Sequence, residues 1–161
     1  MTDRELINFL DIAEKMKCNT RHSWTSTNRK ESVAEHSWRL SLMALLLEKE
    51  IEGVDFQKII KMCIIHDLGE AITGDIPSFL KTEEDSKVEE NAIIELLETL
   101  PEPQKTDMLT LFEEMEQRQT MEAKIYKALD RLEAVIQHNE APISSWLPLE
   151  YELQQTYGWE E

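Results

Sequence analysis

The hydrophobic positions of this chain recur mainly with the spacing of an α-helix. Apolar side chains return every three or four residues, and no segment sustains the apolar and polar alternation of a half-buried strand. The pattern predicts helices whose core faces carry Leu6, Leu10, Ala13 and Met16; Leu40, Met43, Leu46 and Leu47; Ile60, Ile64 and Ile65; Val88, Ile93, Leu96 and Leu97; and Ile125, Leu129, Leu132 and Val135. We therefore expect an all-α protein.

Residues that cap helix N-termini precede these segments: Thr2, Ser32, Asp55 and Thr120. An acidic first turn from about Thr82 suits the positive end of another helix dipole. Thr2 and Ser32 begin capping boxes, in which a glutamate three residues later caps the helix in return. The stretch from Asn19 to Lys30 is predicted to be a polar loop. Pro148 predicts the start of a short terminal helix that ends before Gly158.

The length of the chain predicts one domain over residues 1–161, because 161 residues can enclose one hydrophobic core. The motifs that carry chemistry lie at about 30–135, and residues 140–161 are expected to form a C-terminal tail helix. Hydrophobic residues at 41% and charged residues at 31% are typical of a soluble globular protein.

The charge of the chain argues against a nucleic acid polymer as a partner. A net charge of −16 would repel phosphate backbones, which proteins bind largely through Lys and Arg. A mononucleotide is not excluded, because distant surface charges are screened at cellular salt. No apolar run approaches the roughly 20 residues that span a bilayer, so no membrane partner is expected.

The cysteine content and the N-terminus predict a cytoplasmic protein. Cys18 and Cys63 are the only cysteines and are far apart in sequence, which favours a reducing compartment. Cys63 lies in an apolar run, where a buried and inert thiol is expected. The first residues lack the basic flank and apolar stretch of a signal peptide.

Two histidines and two aspartates could together bind a divalent metal ion: His36, the pair His66-Asp67, and Asp130. Imidazole and carboxylate ligands without a thiolate suit Mn, Fe, Co, Ni, Zn or Mg. Three helices can bring such ligands together in the interior of a bundle. Taken singly, His36 could be a hydrogen-bonded structural residue and Asp130 a salt-bridged surface residue. A carboxylate among apolar neighbours is nevertheless costly unless it is paired.

Glu70 and Asp75 follow the His66-Asp67 pair closely and are not needed as ligands. Spare carboxylates beside a metal with open positions suit proton transfer. The sequence therefore predicts a metal-assisted hydrolase. A non-catalytic helical adaptor with a structural metal is the alternative from another class.

The order His, His-Asp, Asp along a helical chain resembles that of the HD-domain metal-dependent phosphohydrolases. The strings Glu31-Ser32-Val33-Ala34-Glu35-His36 and His66-Asp67-Leu68-Gly69-Glu70-Ala71-Ile72-Thr73-Gly74-Asp75 are similar to the small 5′-deoxynucleotidase branch of that family. The resemblance covers about residues 5 to 140. It implies an HD-domain helical bundle that removes phosphate from (deoxy)nucleoside 5′-monophosphates. Another phosphomonoester or a nucleoside triphosphate is the alternative substrate.

The resemblance also implies roles for individual residues. The metal ligands of the family correspond to His36, His66, Asp67 and Asp130. The catalytic carboxylate corresponds to Glu70, and a second, substrate-side carboxylate to Asp75. Arg21 matches the arginine that orients the phosphate. Trp24 is either a contact for the base or sugar, or a tryptophan that covers the edge of the core.

The remaining aromatic and histidine residues are assigned structural roles. Trp38, Trp146 and Trp159 are expected to be core or interface anchors. Together with family analogy, the apolar helices favour a homodimer. His22 is expected in a solvated loop, and His138 at the surface or near a helix end.

Overall fold

The computed structural model of the chain describes residues 1–157. Its helices are α1 (Asp3–Ala13), α2 (Lys15–Cys18), α3 (Val33–Leu47), α4 (Phe56–Ile65), α5 (Glu70–Thr73), α6 (Glu83–Leu97), α7 (Gln104–Gln117), α8 (Met121–Glu140) and α9 (Glu150–Thr156), with a 3₁₀ turn at Ile143–Ser145. The prediction of a helical fold is confirmed. Gly158 and Trp159, for which a helix end and an anchor are predicted, lie outside the described residues.

The predicted N-caps begin the helices as expected. The Thr2 and Ser32 side chains accept hydrogen bonds from the third helical N–H, and both capping boxes are complete. Thr82 forms a third capping box with Asp85. An acidic residue at the start of α6 therefore helps to cap that helix. The terminal helix begins at Glu150, two residues later than the predicted start.

The segment predicted as a polar loop is a β-hairpin, so that prediction was wrong. Strand β1 (Thr20–Trp24) pairs antiparallel with β2 (Lys30–Ser32), and Asn28 takes a left-handed conformation in the turn. Both strands are short and rich in polar residues, so their hydrophobic pattern gives no period-two signal. The hairpin packs beside α8 and carries Arg21 towards the interior.

The core lies where α3, α4 and α8 pack against one another. Leu40, Ile59 and Met62 are fully buried at this contact. Several apolar positions assigned to the core are exposed instead: Leu6, Leu10, Leu46, Ile64, Val88 and Leu132. Each helix packs through a narrower stripe than its apolar pattern covers, so the edges of that pattern remain in solvent.

Glycines shape the turn that leads from α4 through α5. A Cβ atom at Gly69 would lie 2.8 Å from side-chain carbons of Glu89 and Ile93, so only glycine lets α6 approach this closely. Gly74 has φ +78°, which reverses the chain after α5 and directs Asp75 back towards the bundle.

Candidate metal centre and substrate pocket

The four predicted ligands come from three parts of the bundle and meet in its interior. His36 lies in the first turn of α3, His66 and Asp67 follow the end of α4, and Asp130 lies in the middle of α8. The Nε2 atoms of the two histidines are 3.2 Å apart. Asp130 Oδ1 lies 3.1 Å from His36 Nε2, and Asp67 Oδ2 lies 3.0 Å from His66 Nε2. The structure thus brings all four side chains together.

Hydrogen bonds at the Nδ1 atom of each imidazole fix the orientation of the ring. His66 Nδ1 lies 2.9 Å from the carbonyl oxygen of Cys63, which can only accept, so Nδ1 carries the proton. His36 Nδ1 lies 2.5 Å from Glu133 Oε2, a carboxylate that likewise accepts. With both Nδ1 atoms hydrogen-bonded elsewhere, the two Nε2 atoms face the same point, which is how metal-binding histidines are held.

The converging atoms need a positive charge among them. Lone pairs of two imidazoles and oxygens of two carboxylates repel one another at these separations. Burial and Arg21 would lower the pKa of His36, but Asp130 and Glu133 outweigh them and raise it to about 9. His36 thus binds a proton tightly at neutral pH, and a divalent cation can take the place of that proton. His36, His66 and Asp67 each offer a donor atom within 4.8 Å of the others, and such nitrogen and oxygen donors fit a divalent cation.

The two aspartates are held in their ionised form. Burial would raise the pKa of Asp130, but the Lys127 ammonium and the two histidines lower it well below its usual range. Lys127 Nζ donates to Asp130 Oδ2 at 2.7 Å. His66 likewise overcomes the effect of burial on Asp67 and lowers its pKa. Carboxylates must be ionised to coordinate a metal, so both residues are ready to bind one.

Glu70 is buried beside this cluster. Its backbone carbonyl accepts a 2.5 Å hydrogen bond from the Asn19 side chain, while its Oε2 atom has no hydrogen-bond partner among residues 1–157. Burial, together with Asp67 and Asp75, raises the pKa of Glu70 to about 10. A nearby cation would favour the carboxylate form, so a metal at the cluster would prepare Glu70 to accept a proton.

Arg21 enters the interior from β1, between two buried carboxylates. Its Nη1 atom lies 3.8 Å from Glu31 and 3.7 Å from Glu133. Burial would lower the pKa of Arg21, but Asp67, Asp130 and these two glutamates raise it overall. Burial and Glu133 in turn raise the pKa of Glu31 to about 7. The arginine is therefore fully charged and held in place next to the cluster.

A pocket of about 240 Å³ opens beside the four ligands. Arg21, Asp67, Glu70, Asp75 and Asp130 all line it, so five of the predicted site residues share one cavity.

Trp24 does not line this pocket. Its ring lies beneath the Lys30 ammonium, which is 4.7 Å from the ring centre. Its carbonyl oxygen accepts a hydrogen bond from Gln137.

Sequence reasoning missed several residues around the site. Glu133 is completely buried and contacts His36, and its position one helical turn after Asp130 could have indicated that it shares a face with that ligand. Glu150 is also buried and lines the pocket from α9, but no pattern near it signalled this.

The assignment of His22 to a solvated loop was wrong, and so was a surface position for His138, although His138 does lie in the last turn of α8. His22 Nε2 lies 2.7 Å from Glu150 Oε1 and only a quarter of its side chain is exposed. His138 is buried and its ring packs on Trp146 with centres 4.2 Å apart. Both histidines line the pocket. Trp146 thus acts as an anchor, whereas Trp38 is 66% exposed and is not a core residue.

Comparison with known proteins identifies the family of the chain. The sequence profile of the HD domain matches residues 13–161, so the chain belongs to the HD domain family. The chain is 35% identical over 144 residues to the 5′-deoxynucleotidase HDDC2 of Dictyostelium discoideum, covering 83% of this chain and 76% of that protein. It is 32% identical over 141 residues to the human protein of the same name, covering 85% of this chain and 68% of the relative.

Solved structures agree with this assignment. A predicted metal-dependent phosphohydrolase from Magnetospirillum magnetotacticum superimposes with a TM-score of 0.77 at 30% identity, covering 85% of this chain and 70% of that one. A conserved hypothetical protein from Pyrococcus furiosus has a TM-score of 0.67 at 35% identity, covering 83% and 81%. The resemblance inferred from the sequence strings is confirmed, and family membership implies a divalent metal.

Proposed function

We propose that this protein is a metal-dependent 5′-nucleotidase that hydrolyses nucleoside 5′-monophosphates, the deoxy forms in particular, to nucleoside and phosphate. The observation that carries the proposal is the convergence of two imidazole Nε2 atoms and two ionised carboxylates at the wall of an open pocket. Curated relatives named 5′-deoxynucleotidases support the substrate class.

His36, His66, Asp67 and Asp130 would hold the metal in this proposal. When bound, the divalent cation supplies Lewis-acid stabilisation of the phosphoryl group and makes water more acidic. Either role requires a pocket that phosphate and water can enter. The cluster meets this requirement because Asp67 and Asp130 also line the cavity.

The chain's own residues would bind the phosphate and move the proton. Arg21 would neutralise phosphate oxygens, because a guanidinium donates in a planar fork that fits them. Glu70 would accept a proton from the attacking water, since its Oε2 atom is buried in the site and has no hydrogen-bond partner among the described residues. Asp75 would contact the sugar or hold the water next to it. Trp24 as a base or sugar contact stays a prediction.

Phosphate release from a panel of substrates tests the proposal. The panel pairs ribo- and deoxynucleoside 5′-monophosphates and adds nucleoside triphosphates and simple phosphomonoesters, each with Mn, Co, Mg, Zn, Ni or Fe. We expect the highest kcat/KM with a deoxynucleoside 5′-monophosphate. Equal rates on paired ribo- and deoxy-substrates would remove the deoxy preference, and preferred hydrolysis of triphosphates would replace the monophosphatase assignment.

Replacing Glu133 with glutamine should weaken metal binding without removing a ligand. Glu133 Oε2 accepts the Nδ1 proton of His36 and thereby keeps Nε2 free for the metal. Loss of such an outer carboxylate costs about 10- to 100-fold in metal affinity. Competition with a chromophoric chelator measures the affinity directly.

Glu31→Gln is the matched control for this change. It replaces a second buried glutamate beside Arg21, one that forms no hydrogen bond with His36 among residues 1–157. We expect it to alter metal affinity much less. Equal weakening by both variants would mean that net charge, and not the contact to His36, governs metal binding.

A homodimer is part of the proposal, with the outer face of α3 as its interface. Four apolar residues of that helix lie on one side and are exposed: Trp38, Leu42, Leu45 and Leu46. Contiguous exposed apolar side chains commonly mark protein interfaces. We expect light scattering after size exclusion to give the dimer mass, and Leu45→Glu to give the monomer. A monomeric parent would rule the dimer out.

A cytoplasmic location is also proposed. Cys18 is an exposed free thiol, and Cys63 is buried with its pKa raised to about 12 by burial, as the inert-thiol prediction requires. Exposed free thiols persist in reducing compartments. Within residues 1–157, each helix is too short or too polar to traverse a lipid bilayer.

A further inference from the structure

Three side chains with a full positive charge line the pocket beside the metal cluster: Arg21, Lys81 and Lys127. Two of them already face carboxylates that are not metal ligands. Arg21 lies between two buried glutamates, and Lys81 forms an ion pair with Glu89. Lys127 differs, because its ion-pair partner among residues 1–157 is Asp130, one of the four converging ligands.

Lys127 and Asp130 lie one helical turn apart on α8, so their side chains project from the same face of the helix. Lys127 Nζ donates to Asp130 Oδ2 at 2.7 Å. The other oxygen of the same carboxylate, Oδ1, lies 3.1 Å from His36 Nε2. The two oxygens of Asp130 are thus divided between the lysine and the metal cluster, and the ammonium group lies next to the position that a metal would occupy.

The Lys127 side chain is held at the pocket wall. Only 23% of it is exposed, and Nζ lies 6.0 Å from the centre of the Tyr126 ring, which packs edge to face on the His66 ring. An ammonium group has three N–H donors and Asp130 accepts one, so two others can donate to a ligand in the pocket. A positive charge that is already fixed in place needs little reorganisation when an anion binds.

The charge balance of the site shows why a further cation is needed. Two ionised aspartates cancel the charge of a divalent cation, and histidines bind metals in their neutral form. The charge of Arg21 is already matched by Glu133, which lies 3.7 Å away. The phosphate of a monoester carries between one and a half and two negative charges at neutral pH. Lys127 therefore adds a positive charge that the aspartates, once they bind a metal, do not cancel.

We propose that Lys127 is a phosphate-binding residue, which donates to the phosphate of the substrate while it holds Asp130 Oδ2. This role rests on the proposed function, because it takes the metal cluster as the phosphate end of the pocket. A lysine contacts phosphate as a point charge and does not need the planar fork of an arginine. Arg21 on β1 and Lys127 on α8 would then bind the phosphate from two separate elements of the fold.

Binding of inorganic phosphate to the metal-loaded protein tests this role without turnover. Lys127→Met keeps most of the side-chain length and removes the charge. We expect it to weaken phosphate binding in calorimetry by about 10- to 100-fold, which is the size of a hydrogen bond to a charged group, and to lower kcat/KM for the nucleotide by at least as much. Lys124→Met makes the same change at an exposed position of α8 and is the matched control.

Lys127→Gln separates phosphate binding from the positioning of Asp130. The amide can still donate to Asp130 Oδ2 but carries no charge, so this variant should also lose phosphate affinity. Competition with a chromophoric chelator gives the metal concentration that saturates each variant, and thermal unfolding shows that each is folded. Phosphate affinity equal to that of the control at saturating metal would overturn the role. Weaker metal binding as the sole defect would instead assign Lys127 to the positioning of Asp130.

The outcome for Lys127 and the outcome for the proposed function can be told apart. If the parent hydrolysed no nucleotide but Lys127→Met still weakened phosphate binding, the nucleotidase assignment would fail and the phosphate contact would stand. If the parent were an active nucleotidase and both Lys127 variants bound phosphate like the control, the role of Lys127 alone would fail.

Discussion

Glu70→Gln should lower kcat on the preferred nucleotide by about 10²- to 10⁴-fold, the contribution that a positioned general acid–base group makes. The amide has nearly the same shape as the carboxylate but cannot accept the proton of water. Glu70 Oε2 is buried next to Asp67 and Asp75 and has no hydrogen-bond partner among residues 1–157, so structural bonds do not occupy it. Steady-state kinetics under saturating metal measure the loss.

Metal affinity separates this role from a structural one. Because Glu70 is not one of the four converging ligands, Glu70→Gln should bind metal about as tightly as the parent. Glu90→Gln, which changes an exposed glutamate on α6, should leave both quantities unaltered. An enzyme that keeps its metal and its full turnover after the Glu70 change would exclude the proton-transfer role.

The ligand set could be predicted because its residues carry strong local signals. The capping box at Ser32 fixes where α3 starts and therefore places His36 in the first turn, facing inward. Gly69, two residues after Asp67, is required by the close approach of α6. The sequence after the His66-Asp67 pair therefore indicates the tight packing that holds this turn. Asp130 was recognisable because a carboxylate among apolar helix positions needs a partner.

The part of the pocket around Glu150 could not be predicted because it depends on long-range contacts. Nothing near Glu150 in the sequence indicates that it meets His22, which lies 128 residues earlier and in a hairpin whose polar strands give no periodic pattern. The burial of His138 was missed for a similar reason. Trp146 and Glu150, which follow it in the chain, pack against its ring. Tertiary packing decides such positions, and a single sequence does not record it.

Asp130→Asn should abolish metal-dependent stabilisation as well as activity. The change removes one of two anionic ligands and leaves the two histidines, whose Nε2 atoms are 3.2 Å apart, with less negative charge to offset the cation. We expect metal affinity to fall by more than the roughly 10- to 100-fold that follows the loss of a carboxylate hydrogen-bonded to a ligand. A metal present at 100 times its Kd stabilises the parent by about 2.7 kcal/mol, so added metal should raise the Tm of the parent and not that of the variant.

The thermal measurement tests the metal centre without relying on catalysis. Asp107→Asn provides the control, because it removes an exposed aspartate in the first turn of α7 and should keep the full metal-induced rise in Tm. The comparison also tests the three-helix geometry, since Asp130 is the only proposed ligand that comes from α8. If metal stabilised Asp130→Asn as strongly as the parent, the ion would be bound without α8, and the centre formed by these three helices would have to be abandoned.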